Sequence, residues 1–238
     1  MIQMNLTENL LNNSKWYIFP FLLLLLACPT EDEPPEPPPP NPEVYIQDGW
    51  DDLSSGSFED ALDNFDEALA IDPENLSAIM GKAWSLFFVD SGDALFMMSY
   101  LFEKGVNDST WSADAYCGLS IVTFAQGDYG SAIAFANSLL SIDSVYVFDY
   151  VDDIDYHDIF LVKAQAQFLT RDYLGAYTTM VQIIPSLMDQ DSDLYLVDDE
   201  PESWEVNGTQ YFSFESALSA VISLVTSEYD SGGFISNT

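Results

Sequence analysis

An all-α fold of antiparallel helix pairs is what this sequence predicts, and three observations predict it. The first is residues 49–75, where Phe58, Ala61, Leu62, Phe65, Ala68 and Leu69 recur at helical spacing while Asp60, Asp63, Asp66 and Glu67 take the opposite face. Ser57 stands where an N-cap belongs, with Asp60 three residues on; Ser55-Gly56 supplies a turn before it, and Asp72-Pro73 ends it. The second is a copy of that stretch 71 residues later, which sets Gly127 on Gly56, Tyr129 on Phe58, Ala132 on Ala61, Leu140 on Leu69 and Asp143 on Asp72. The third is a fainter copy 44 residues further on, with Asp172 on Asp128, Tyr173 on Tyr129 and Ala176 on Ala132. The chain repeats itself, as chains assembled from like supersecondary units do.

The motif Gly56-x-Phe58-x-x-Ala61-x-x-x-Phe65-x-x-Ala68-x-x-x-x-Pro73 resembles the tetratricopeptide repeat, whose period is about 34 residues and whose unit is a helix, a turn and an antiparallel helix. Two such periods are about 68 residues, so the spacing of 71 leaves room for one degenerate repeat between the clear copies. Small residues such as Ala61 and Ala132 let two helices approach closely, and the aromatics fill the space beside them. The resemblance covers roughly residues 43–184 and is strongest in the first and third units. It implies an antiparallel helix-pair solenoid of about four repeats plus a C-terminal capping helix within residues 44–230, with a concave partner-binding face.

In chain order, residues 16–26 form an apolar run of eleven broken only by Pro20, too short for a bilayer core that needs about 20. It reads as the hydrophobic region of a signal peptide over residues 1–27. The run ends in Leu25-Leu26-Ala27-Cys28, which looks like the bacterial lipoprotein box, whose cysteine is lipidated after cleavage because its thiolate is the nucleophile. Residues 28–43 then hold the cysteine and a Pro/acidic linker, with eight of the chain's twelve prolines at positions 29–43. Such a segment is extended polyproline II of about 3.1 Å per residue, a stalk on the order of 45 Å. Pro29 after the cysteine resembles lipoproteins sent to the outer membrane; Glu31, Asp32 and Glu33 resemble surface-export signals. The expected location is the cell envelope, lipid-anchored, on the periplasmic or the outer face.

The formal charge of −35 is unchanged by cleavage at Cys28, which removes one acid, Glu8, and one base, Lys15. Lys82, Lys104, Lys163 and Arg171 are the bases that remain, too few and too scattered to bind phosphates, so nucleic acid is excluded as a partner. Cys117 is the sole cysteine besides Cys28, so no intramolecular disulfide forms once Cys28 is acylated. It reads as a small hydrophobe on a first helix of a repeat.

The second unit starts at Asn75, a cap, and its partner helix over residues 93–103 carries Phe96, Met97, Met98, Tyr100, Leu101 and Phe102 as a core stripe. If the repeat register holds, Met80, Trp84 and Phe88 line the concave face beside Cys117, Ile121 and Phe124 of the third unit and Leu161 and Phe168 of the fourth. An apolar groove of that kind suits a partner helix or peptide. Residues 145–160 carry the length in excess of one period as a long acidic connection, and His157 there is a helix-start histidine among aspartates rather than a metal ligand. Asp189, Asp191, Asp193 and Glu200 occupy the first, third, fifth and twelfth places of a calcium loop, but Leu194 stands where the loop needs glycine. Residues 212–229 form the capping helix, with 231–238 a tail.

No nucleophile, histidine and acid fall into a catalytic set, and no glycine-rich phosphate loop appears. The expected activity is therefore binding: no enzyme, no cofactor, and a protein or peptide partner held by an envelope scaffold. A surface receptor for a glycan and a calcium-responsive module stand as alternatives.

Overall fold

The computed structural model describes residues 41–89, 91–151, 154–189, 192, 195–196 and 203–230, with backbone alone at 91–94 and 228–230. The signal segment, Cys28, almost all of the linker, the tail, and Asp191, Asp193 and Glu200 of the calcium pattern lie outside the described residues. Within them the chain forms nine α-helices: α1 Pro42–Ser55, α2 Phe58–Ile71, α3 Leu76–Val89, α4 Ser91–Gly105, α5 Ser112–Ala125, α6 Tyr129–Ile142, α7 Tyr156–Leu169, α8 Tyr173–Ile183 and α9 Phe214–Asp230. The first eight pack as successive antiparallel pairs, each helix on the next, and α1 also touches α3 as α5 touches α7. This is an antiparallel helix-pair solenoid.

The pairs are punctuated by one device used three times. After α1, Gly56 adopts a left-handed φ of 81°, its N–H bonding Leu53 O and that of Ser57 bonding Asp52 O. After α5, Gly127 at φ 79° does the same onto Phe124 and Thr123. After α7, the position falls to Arg171, which takes φ 67° and makes the same two bonds, onto Phe168 and Gln167. The helices that follow open with Asp128 and Asp172, whose side chains accept from the N–H of Ser131 and Gly175. Ser57 departs from the expected cap: its hydroxyl lies 3.1 Å from that of Ser55 and no side-chain cap bond forms.

Two close approaches fix the pairs. Phe65 of α2 is wholly buried against Gly49 of α1 and Gly81 of α3, where an added Cβ would run into its ring. Phe102 of α4 meets Gly118 of α5 in the same way. Ala61, Ala132 and Ala176 are all fully buried at matching places in α2, α6 and α8, the small-residue contacts that let the pairs close.

Three features differ from the sequence expectation. Asn41, Pro42 and Glu43, read as the end of the linker, are the start of α1: Pro42 fits the first turn of a helix, and Asn41 Oδ1 accepts from Glu43 N. Of the six apolar residues expected as a core stripe in α4, Met98, Leu101 and Phe102 are core, while Phe96, Met97 and Tyr100 face outward. Beyond α8 a 3-10 turn at Pro185–Met188 leads to a two-stranded hairpin, β1 Trp204–Val206 with β2 Thr209–Tyr211. Asn207 and Gly208, both at positive φ, form its two-residue turn. With α8 and α9 the hairpin builds a second hydrophobic cluster, in which Ala217, Leu218, Val221 and Val225 of α9 are buried. Leu161 and Ala164 of α7 join that cluster, whereas Ile159 and Val162 of the same helix join the first.

Because only backbone conformation distinguishes the three junctions, Arg171→Gly should raise the unfolding free energy by about 0.5–1 kcal/mol and Gly127→Ala should lower it by about 1 kcal/mol, both read from urea titrations. Destabilisation by Arg171→Gly would mean that the arginine side chain, not its backbone, holds that turn.

Candidate functional site

The first helices of the pairs, α1, α3, α5 and α7, make one side of the stack, and the described residues of the connection, 145–151 and 154–155, cross it. The connection closes on itself, with Phe148 N donating to Ile154 O at 2.9 Å, Tyr156 N donating to Tyr146 O at 2.8 Å, and Val147 bridging Asp155. Extended backbone on either side of Val147 sends Tyr146 and Phe148 the same way onto the helices, and Tyr150, in the turn that follows, joins them there. Tyr146 donates its hydroxyl proton to Asp114 Oδ1 of α5 at 2.6 Å. The Phe148 ring lies 4.3 Å from that of Trp84 on α3. Tyr150 stacks on Trp50 of α1 at 3.9 Å, and Trp50 stacks in turn on Trp111, the residue before α5, at 5.4 Å. Tyr146, Phe148 and Ile154 are buried.

Of the eight residues expected to line an open groove, Met80, Trp84, Cys117, Ile121 and Leu161 are buried. Trp84 is covered by Phe148 and edges onto Phe102 of α4, its indole N–H without an acceptor among the described residues, so packing alone holds it. Met80 turns toward Gly105 at the end of α4. Leu161 belongs to the C-terminal cluster, and Phe88 stacks on Phe58 of α2 at 4.5 Å. Phe124 and Phe168 do come together, with Ser219 and Ile222 of α9, around a cavity of about 230 Å³. The expected continuous trough is thus corrected: five of the eight residues are buried, Phe88 packs on the neighbouring pair, and of the eight Phe124 and Phe168 border a cavity. A recess of about 570 Å³ remains between the tip of the connection, at Asp149 and Tyr150, and the turn joining α1 to α2.

The residues that organise this side, Trp50, Trp111, Asp114, Tyr146, Phe148 and Tyr150, were not singled out by repeat spacing. A signal was present: aromatics at 146, 148 and 150 alternate as in a half-buried extended strand.

Burial pushes the Asp114 carboxyl up to about 6; the Tyr146 hydrogen bond works against that rise and the Asp149 charge adds to it. Asp158 also rises to about 6, chiefly by burial, although its side chain accepts from Asp155 N at 2.8 Å in a capping box that starts α7. Burial drives the Cys117 thiol and the Tyr146 phenol well above their usual values, so both stay protonated and neither is a nucleophile. His157 Nδ1 lies 3.1 Å from both Asp155 carboxylate oxygens at the helix start. Among the described residues no three His, Cys, Asp or Glu side chains gather as metal ligands. Asp189 ends the 3-10 turn, and the remaining positions of the calcium pattern lie outside the described residues.

No protein-family profile and no curated protein matches this chain. Among solved structures it is similar to the MamA protein, at 18% identity over 62% of this chain and 75% of that one, with a TM-score of 0.48. It is also similar to Pseudomonas aeruginosa PilF, at 14% identity over 80% and 86%, with a TM-score of 0.40. These scores are too low to add weight, and the class, a helix-pair solenoid, rests on the pairs themselves.

Two consequences can be measured. Asp114 and Asp158 hold protons in the folded chain up to about pH 6 but release them near 3.8 when unfolded, so folding takes up protons between these values. Stability should therefore rise as pH falls from 7.5 to 5, with the melting temperature climbing a few degrees. Asp114→Asn keeps an acceptor for Tyr146 and should melt higher at pH 7.5 with a shallower pH slope, while Asp60→Asn on the exposed face of α2 leaves the slope nearly unchanged; equal slopes in all three would remove Asp114 as the cause. Phe148→Ala should cost about 3–5 kcal/mol in a denaturant titration, the loss expected of a core aromatic; a loss under about 1 kcal/mol would mark the connection as detachable.

Proposed function

We propose that this chain is an exported scaffold, tethered to the cell envelope through lipidated Cys28, that acts by holding a protein partner rather than by catalysis. The observation that carries the reading is where large apolar side chains are left uncovered. The inner side is filled by the chain's own Tyr146, Phe148 and Ile154, yet Phe96 keeps 84% of its surface exposed, Phe212 79% and Leu174 61%. Phe96, Met97 and Tyr100 are exposed together on α4 of an otherwise strongly acidic chain, and adjacent exposed apolar groups are what an interaction site presents. The partner is accordingly met on the outer side of the stack, not in a concave trough.

The tether is supported by the sequence around Cys28, and none of the described helices is long and apolar enough to cross a membrane. The proline-rich residues after Cys28 would set the domain off the lipid surface, where an acidic protein avoids anionic headgroups.

The tether is tested by labelling cells with a palmitate analogue: the native chain should label and partition with membranes, and Cys28→Ala should do neither. Binding is tested by placing a photo-crosslinking residue at Phe96, Leu174 or Phe212 in turn. Discrete protein adducts from at least one position are expected, and none from exposed polar positions such as Asp60; adducts from no position would overturn the scaffold reading.

A further inference from the structure

The outer side holds one surface with enough chemistry to describe what it takes. Phe96, Met97 and Tyr100 stand on one face of α4, at 84%, 51% and 53% exposure. Phe96, Tyr100 and Lys104 follow each other at intervals of four, a stripe parallel to the helix axis, and Lys104 Nζ sits 4.5 Å over the Tyr100 ring. The stripe runs into an open groove of about 620 Å³ between α2, α3 and α4. Its walls are apolar, Leu69 from α2, Leu76 and Ile79 from α3 and Leu101 from α4, and Lys82 and Lys104 stand on it. Lys82 is ion-paired with Asp66 at 2.5 Å, and Glu74 also borders the groove.

The charge distribution narrows the occupant. The whole chain has five basic residues against 40 acidic ones. Four of the five lie among the described residues, and two of those four border this one groove. Most of the surface is acidic and attracts a basic partner without discrimination; beside this groove two lysines offset Asp66 and Glu74, Lys104 lies against the Tyr100 ring, and an incoming carboxylate competes with Asp66 for Lys82. A second copy of the chain is disfavoured, since it would bring lysine against lysine and a further charge of −35. An apolar ridge running along a helix beside a groove between helices is the geometry into which another helix packs.

Resting on the scaffold reading, we infer that the α4 stripe and the groove beside it take an amphipathic helix of a partner protein whose apolar face is flanked by carboxylates. Phe96 and Tyr100 supply the exposed anchors and Leu76 and Ile79 the floor; Lys104 pairs with one flanking acid, Lys82 exchanges Asp66 for another, and the aliphatic stems of both lysines add apolar surface.

Two synthetic helical peptides test this, with the same Leu/Phe stripe but flanked in one by Glu and in the other by Lys. Each is titrated into the mature chain at physiological ionic strength and followed by fluorescence anisotropy. The Glu-flanked peptide should bind, and both the double variant Lys82→Glu/Lys104→Glu and the double variant Phe96→Ser/Tyr100→Ser should weaken it by about tenfold or more. Circular dichroism melting confirms that these surface variants stay folded. The inference is overturned if the Glu-flanked peptide does not bind, if neither variant weakens it, or if the Lys-flanked peptide depends equally on Phe96 and Tyr100. It is likewise overturned if sedimentation shows the chain self-associating through these two residues. Protein adducts from Leu174 or Phe212 combined with a Glu-flanked peptide that fails to bind would leave the scaffold reading standing and remove this inference alone.

Discussion

The ring contact between Phe148 and Trp84 decides which side of this protein is available. It brings a segment from between the third and fourth helix pairs onto a helix of the second, and Tyr150 carries the same segment on to Trp50 in the first. The three aromatics at alternate positions bind their own helices much as an extended ligand would, with Tyr146 donating a hydrogen bond to Asp114. Covalent linkage gives that segment a very high effective concentration at its site. The inner side of the solenoid is therefore part of the core, which under the scaffold reading proposed above leaves recognition to the outer helices.

This arrangement also explains a cost the fold carries. Seating the crossing segment shelters Asp114 and its first helical neighbours from water, and at neutral pH the protein holds carboxylates in places that favour their neutral form. The penalty adds to the mutual repulsion of a chain with a formal charge of −35. Close packing offsets both. Phe65 clamped by Gly49 and Gly81, and Phe102 clamped by Gly118, bury large rings where helix backbones nearly touch, each ring contributing about 2–3 kcal/mol.

Much of this was legible in the sequence. The pairs were, because left-handed glycines at 56 and 127, caps at Asp128 and Asp172, and small residues such as Ala61 and Ala132 recur at fixed distances and each has a single structural meaning. The start of α1 was hidden because Pro42 continues a proline-rich run and also suits the first turn of a helix. The hairpin at 204–211 was hidden in a different way: its Asn207-Gly208 turn is a strong local signal that a purely helical reading passes over. The candidate groove failed for a deeper reason. Spacing tells which side chains share a helix face, but not which neighbour that face meets, and Trp84 and Met80 meet α4. Nor does acidity mark a segment as solvated: the connection that carries Asp149 and Asp155 also buries Tyr146, Phe148 and Ile154.

Helix α7 contributes Ile159 and Val162 to one hydrophobic cluster and Leu161 and Ala164 to the other. Melting either cluster strips one flank of this helix, so neither half can loosen without weakening its neighbour, as in a row of nearest-neighbour units. The two halves of the solenoid are in that sense thermodynamically geared, and α7 is the tooth through which a disturbance at the C-terminal end reaches the helices nearest the N-terminus.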